Sequence, residues 1–134
     1  MSVEGLTIVP SQFDPATTMN RLVSAVEKRG IGILARIDHA ASAEKAGLAL
    51  RPTELLLFGN PKVGTALMQA QQTAGIDLPL KALVWLDEEG KTWLAYDNPD
   101  WVAARHGVTT ADNTVKAMTA GLAAIAGEAT GTAN

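Results

Sequence analysis

A β-hairpin is predicted by the stretch Lys81-Ala-Leu-Val-Trp-Leu-Asp87, Glu88-Glu-Gly90, Lys91-Thr-Trp-Leu-Ala-Tyr-Asp97. Two apolar segments flank a short polar loop that contains glycine, which is typical of antiparallel strands joined by a tight turn. Trp85 and Trp93 have the same parity in the two segments, so we expect them to be neighbours across the pair. The sheet therefore contains at least one antiparallel pair.

Upstream of the hairpin, strands and helices alternate. Strands are predicted at residues 6–9, 31–38 and 55–58, with Ile31, Ile33, Ala35 and Ile37 on one face of the second. Caps, prolines and glycines predict helices from Asp14-Pro15 to Gly30, at 40–46, from Asn60-Pro61 to Gly75, from Asn98-Pro99 to Gly107, and from about Ala111 onward. The order β-α-β-α-β-α-β-β-α-α predicts a mixed or antiparallel sheet with helices packed on it.

The length and composition are those of one folded domain. The chain has 134 residues, a net charge of −3 and 47 % hydrophobic residues, which exclude a disordered chain. It has no cysteine, which excludes disulfides and thiolate metal sites. The slight acidity argues against nucleic acid as a partner. No export signal and no apolar run of ~20 residues is present, so we expect a cytoplasmic protein without membrane contact.

The final helix carries a narrow apolar stripe, Val115-Met118-Leu122-Ile125. Packing on its own domain is the simpler interpretation, and docking on a second subunit is the alternative. We expect a main body at residues 1–108, followed at 109–134 by this helix and a tail. From Gly127 the residues are small and polar, and we expect them to fray.

Motifs for known chemistry are weak. The two histidines, His39 and His106, lack the spacing of a metal site, so no metal is expected. Asn60 and Asn98 precede proline, which is typical of helix caps, and no phosphate-binding glycine loop follows a strand. An enzyme would use His39 or His106 as a general base, oriented by Asp38 or Asp97.

An ordered series of short motifs resembles a bacterial and archaeal family known as domain of unknown function 302. The series comprises Ile37-Asp-His39, Ala46-Gly-Leu48, Phe58-Gly-Asn-Pro61, Gly64-Thr65, Leu67-Met68, Leu78-Pro79, Tyr96, Pro99 and Ala104-Arg-His106. The resemblance implies a single α+β domain similar to the TATA-binding-protein fold, with helices on a curved, mostly antiparallel sheet, and a homodimer. The family has no assigned reaction, so the resemblance supplies no catalytic residues; it does not imply DNA binding, and it leaves the cofactor unknown. The family's recurring polar positions match Asp38, His39, Asn60, Tyr96, Arg105 and His106.

Three functions follow as hypotheses. The first is a homodimeric domain that binds an unidentified small molecule near one sheet edge, with His39, Asn60, Tyr96 and His106 as the polar lining. The second is the enzyme with a histidine–carboxylate pair described above. The third is an assembly module without a ligand, in which Trp85, Trp93 and Trp101 form an interface.

Overall fold

Five strands form one sheet in the computed structural model, which describes residues 1–132. The strands are β1 (Leu6–Pro10), β2 (Gly32–Asp38), β3 (Thr53–Gly59), β4 (Leu80–Leu86) and β5 (Thr92–Asp97). Their order across the sheet is β1-β5-β4-β3-β2, and all four neighbouring pairs are antiparallel. The sheet is therefore antiparallel throughout, and the α+β fold predicted from the sequence is confirmed.

The predicted hairpin is formed by β4 and β5. Trp85 lies opposite Trp93 in the register, as the shared parity predicted. The Asp87 carboxylate accepts hydrogen bonds from the backbone amides of Glu89 and Lys91, both at 2.9 Å, and from Trp93 Nε1 at 2.8 Å. One aspartate therefore organises the turn and orients a tryptophan of the second strand.

Five helices and one 3-10 segment lie between the strands or follow the last of them in residues 1–132. They are α1 (Pro15–Lys28), α2 (His39–Lys45), α3 (Pro61–Ala70), the 3-10 segment (Gln72–Asp77), α4 (Pro99–Arg105) and α5 (Asp112–Thr130). Helix α1 begins as predicted, because Asp14 Oδ1 accepts from the Thr17 amide at 2.7 Å and proline follows the cap. The predicted element order is confirmed.

Helices α1 and α5 bury one face of the sheet, and the main core lies between them and the strands. The final helix packs on its own domain, with Leu122 and Ile125 only 3 % exposed. The expected fraying from Gly127 is wrong for residues 127–130, because α5 continues to Thr130 and buries Ala129. Ala133 and Asn134, the end of the expected tail, lie outside the described residues. The central members of the core are Met19, Leu22, Val26, Leu56, Phe58, Val84, Leu94, Leu122 and Ile125.

Two local predictions are corrected. In β2 the register shifts between Ile33, which pairs with Phe58, and Ala35, which pairs with Leu57, so the isoleucines do not share one face. The helix that starts after Asn60 does not run to Gly75, because Gln71 adopts an extended conformation (φ −153°, ψ 112°) and ends α3. Both changes arise where the chain turns around the same end of the sheet.

Candidate functional site

An apolar cavity of about 300 Å³ lies at that end of the sheet, between the last residues of β3, the start of β4, α3 and the 3-10 segment. The β2 bulge contributes Leu34 to it, and α5 contributes Met118. Its size and mostly aliphatic walls are those of a small-molecule site. The complete lining is Leu34, Gly59, Asn60, Pro61, Val63, Gly64, Thr65, Met68, Gly75, Leu78, Pro79, Leu80 and Met118.

The polar end of the cavity is the beginning of α3. Asn60 Oδ1 accepts from the Lys62 amide at 3.0 Å, and the Asn60 carbonyl accepts from the amides of Val63 at 3.0 Å and Gly64 at 3.1 Å. The first amides of the helix are thus already hydrogen-bonded, which removes the donors that an anion would use at a helix amino end. The Asn60 amide nitrogen and the Thr65 hydroxyl are the polar side-chain groups of the lining, and they suit an uncharged ligand.

One wall of the cavity is the 3-10 segment together with Leu78. Gly75 and Leu78 line the cavity, and Ala74 is fully buried against Leu67 and Met118. An ideal Cβ on Gly75 would lie 3.1 Å from Met68 Sδ, so this wall is close to α3. The position of the 3-10 segment therefore decides the width of the cavity.

The far side of the 3-10 segment is bound to α4 by a cluster of polar side chains. His106 Nε2 lies 2.6 Å from Asp77 Oδ2, and His106 Nδ1 lies 2.9 Å from the Thr73 hydroxyl. Arg105 donates from one guanidinium nitrogen to both oxygens of Asp77 at 2.9 Å. A neutral imidazole with its proton on Nε2 satisfies both histidine contacts, donating to Asp77 and accepting from Thr73.

The charge state of Asp77 is determined by opposing effects. Partial burial by itself raises the pKa of the carboxyl, but the hydrogen bond from His106 and the charge and hydrogen bonds of Arg105 lower it by more. The pKa of Asp77 therefore lies below its ordinary value, and the side chain is an anion at neutral pH. Its side chain is 12 % exposed, which strengthens its attraction to both neighbours.

The cluster contains the histidine–carboxylate pair that the enzyme hypothesis requires, but with a different acid. His106 is bonded to Asp77, and neither Asp38 nor Asp97 takes that place among the described residues. Asp38 instead caps α2, accepting from the Ala41 amide at 2.9 Å. The cavity beside Asp77 measures about 10 Å³, which is at the lower limit for one water molecule. The pair does not open onto a substrate-sized cleft on that side.

The four residues predicted to share a pocket occupy different places. Asn60 lines the 300 Å³ cavity, and His106 lies behind its 3-10 wall. His39, the first residue of α2, is exposed at the opposite end of the sheet. Asp38 pairs with Glu54, six residues from Asn60 along β3, a span of about 20 Å at ~3.3 Å per residue. Tyr96 is 7 % exposed and packs in the main core. The structure therefore does not bring the four together.

Sequence reasoning missed Asp77 and Leu34. Asp77 is 29 residues from His106 in sequence, and no local spacing links them. Leu34 reaches the cavity because of the β2 bulge, which alternation of apolar residues does not reveal. Met118 belongs to the predicted apolar stripe of α5, but the stripe alone does not show that one member lines a cavity.

The three tryptophans also do not form one group. Trp85 and Trp93 are a cross-strand pair on the sheet face opposite α1 and α5. Trp101 is on α4, where its ring lies against Gly5: an ideal Cβ on Gly5 would be 2.5 Å from Trp101 Cδ2. Trp101 therefore lies near the residue that precedes β1, whereas Trp93 pairs with Pro10 at the other end of that strand.

Comparison with known proteins identifies the family. The sequence model of the family described as "Domain of unknown function DUF302" matches residues 7–125. The chain belongs to this DUF302 family. The DUF302 chain is also similar to the crystal structure of an uncharacterized conserved DUF302 protein from Bacillus stearothermophilus. That comparison has a TM-score of 0.84 and 19 % sequence identity, and it covers 95 % of this chain and 99 % of the other.

Curated relatives carry the name of an ion channel. The DUF302 chain is 43 % identical over 128 residues to proteins named fluoride-specific ion channel from Brucella suis and Brucella abortus. These alignments cover 95 % of this chain but 50 % and 47 % of the relatives, so the chain spans about half their length. In residues 1–132, no helix is both long and apolar enough to cross a membrane. The same residues contain no group of three or more histidine or carboxylate side chains that could hold a metal ion.

Proposed function

We propose that this chain is a homodimeric domain that binds a small, uncharged and largely apolar molecule in the cavity beside Asn60. The observation that carries the proposal is the cavity itself, about 300 Å³ of mostly aliphatic lining with an asparagine and a threonine at one end. The hydrogen-bonded amides at the start of α3 favour a neutral ligand over an anion. Asn60 would hold the ligand's polar group, and the aliphatic walls would hold its apolar part.

The other predicted site residues take different parts in this proposal. His106 acts indirectly, because it holds Asp77 and with it the wall that contains Gly75. His39 and Tyr96 do not line the cavity, and this proposal gives them no part in binding.

An NMR titration with 1-hexanol tests the site, with hexanoate as the anionic comparison. We expect saturable shifts of the Gly64 and Gly75 amide resonances with the alcohol, and weaker binding of the carboxylate. Gly64→Leu fills the cavity, since an ideal Cβ there meets only Leu78 Cδ1 at 3.7 Å and Met68 Cε at 4.0 Å. This variant should fold and lose the saturable shifts.

Gly121→Leu is the matched control. Gly121 is also a helical glycine, but no atom lies within 4 Å of its ideal Cβ, and it does not line the cavity. We expect this variant to bind 1-hexanol like the wild type. Equal binding by wild type and Gly64→Leu would refute the proposed site.

A second function, action together with a fluoride channel, is favoured by the Brucella relatives. Nearly the whole chain aligns with about half of proteins that carry that name, at 43 % identity. We propose that this chain associates with a fluoride-specific channel as a regulatory domain. Fluoride efflux from vesicles that contain such a channel should change rate when the purified chain is added. No change in rate together with no co-sedimentation with the vesicles would exclude this function.

A further inference from the structure

The second face of the sheet is an apolar surface that the core does not use. Cross-strand partners share a face, so the register identifies its members. One apolar row crosses all five strands in register, and a second row contains the tryptophan pair. The first row is Ile8, Ala95, Leu83, Leu55 and Ile37, and the second is Pro10, Trp93, Trp85 and Thr53. We call these nine residues the open face.

None of the open-face residues belongs to either hydrophobic core cluster. Eight of the nine are partly or largely exposed, with Ile37 at the edge 38 % exposed, whereas Ala95 is only 3 % exposed. A contiguous apolar patch of this kind on a folded domain marks a contact surface. The two adjacent tryptophans are the residue type most enriched where binding energy is concentrated.

Charged side chains border the open face at both ends of the sheet. At the hairpin end, Trp93 Nε1 donates to Asp87 at 2.8 Å, and Lys91 Nζ lies 5.2 Å from the centre of the Trp93 ring. The open face contains no ionisable side chain, and the next row across the strands contains Lys81 and Asp97. Lys81 Nζ donates to the Asp77 carbonyl at 3.2 Å, which holds the cation near the 3-10 segment. The patch therefore has an uncharged centre with a polar border, the usual anatomy of a protein–protein interface.

The surface of the whole chain exceeds that of an average monomer of its mass by about the area that one partner buries in a standard interface. The chain exposes 7630 Å². A monomer of 14.0 kDa is expected to expose about 6700 Å², so the excess is roughly 900 Å². One partner in a stable protein–protein interface buries about 800 Å².

We infer that the open face is where a second copy of this chain packs, sheet against sheet about a two-fold axis. The inference rests on the proposed homodimer and adds its surface. A two-fold contact places the same patch on both sides, and an uncharged apolar patch is complementary to itself. Leu83, in the middle of the central strand, lies at the centre of the contact, beside Leu55 and Trp85.

Sedimentation velocity of the purified chain and its variants tests this surface. We expect wild type to be dimeric at about 100 µM, a concentration at which mass action favours even a moderate dimer. Leu83→Asp and Thr53→Arg place a charge on the open face and should weaken the dimer at least tenfold. Thr53→Arg removes no core side chain, so it keeps the test valid if Leu83→Asp fails to fold.

Two exposed leucines supply the controls. Leu48→Asp changes a residue that is 67 % exposed and lies outside the open face, and it should leave the dimer unchanged. Leu34→Asp changes the exposed bulge of edge strand β2 and reports on edge-to-edge pairing instead. A dimer that is lost in Leu34→Asp and kept in both open-face variants would overturn the surface but keep the homodimer. A wild type that stays monomeric would overturn both.

Discussion

At the scale of single residues, Asp77 is the group whose charge matters most to the candidate site. Asp77 is hydrogen-bonded to Arg105 and His106, at the end of α4, and it belongs to the 3-10 segment that forms one wall of the cavity. It therefore links this wall to α4. Its lowered pKa means that the folded state favours the anion. The Asp77 anion therefore stabilises the folded state at pH values above the ordinary carboxyl pKa of about 3.9. This stabilisation is lost as pH falls through the lowered pKa of the folded state.

We therefore expect Asp77→Asn to lower the free energy of unfolding by about 2 kcal/mol at pH 7, the range for hydrogen bonds to a charged group. The difference from wild type should shrink as pH falls through the ordinary and then the lowered pKa of Asp77, below which the wild-type carboxyl is protonated in both the unfolded and the folded state. Urea unfolding at several pH values measures it. Glu88→Gln, in the exposed hairpin loop, is the control and should match wild type. A difference that does not change with pH would contradict this explanation.

At the scale of elements, α5 is held to the domain by its apolar stripe and by its last turn. Glu128 pairs with Lys28 at 2.6 Å and also with Arg29, both from the end of α1. Arg21 donates to the Glu128 carbonyl at 2.7 Å. The exposed ion pairs add little stability, so the burial of the stripe dominates.

Ile125→Ala should cost about 2–5 kcal/mol, because it removes three buried carbons and leaves a cavity in the core. Chemical denaturation followed by circular dichroism measures the loss. Ala123→Ser lies on the exposed side of the same helix and should cost less than 1 kcal/mol, about the difference in helix propensity. Equal losses in the two variants would show that α5 does not stabilise the fold through its stripe.

At the scale of the whole molecule, the proposed sheet-to-sheet dimer predicts that stability depends on protein concentration. If two chains unfold and separate together, each tenfold increase in concentration adds about 1.4 kcal/mol per mole of dimer. The thermal midpoint of wild type should therefore rise with concentration. Scanning calorimetry at several dilutions measures this rise, and a midpoint independent of concentration would indicate a monomer. A folded Leu83→Asp variant should show no rise.

Local patterns predicted most of the elements. The hairpin at 81–97 depends on apolar segments around a glycine-containing turn, and α1 depends on Asp14, Pro15 and Gly30. Each of these signals involves only a few neighbouring residues, so it does not depend on where the segment lies in the folded domain. The β2 bulge and the end of α3 at Gln71 were not predicted, because they depend on how those segments meet the rest of the sheet.

The candidate site was predicted only in part. Asn60 was recognised because a cap followed by proline stands at a strand end, and it does line the cavity. His39 was predicted to lie near Asn60 because His39 also follows a strand. However, β2 and β3 are antiparallel, so the residues that follow them lie at opposite ends of the sheet.

The sequence by itself determined the order of the elements, the hairpin and most helix starts, because capping, turn chemistry and apolar spacing are short-range properties. The α+β class followed from the resemblance to the DUF302 family. Only the tertiary structure decided that Asp77 meets His106, that Leu34 and Met118 enclose the cavity with α3, and that eight apolar side chains and Thr53 form the open face. Contacts between residues far apart in sequence depend on strand order and register. Those follow from packing the whole chain at once, and no local pattern of residues contains them.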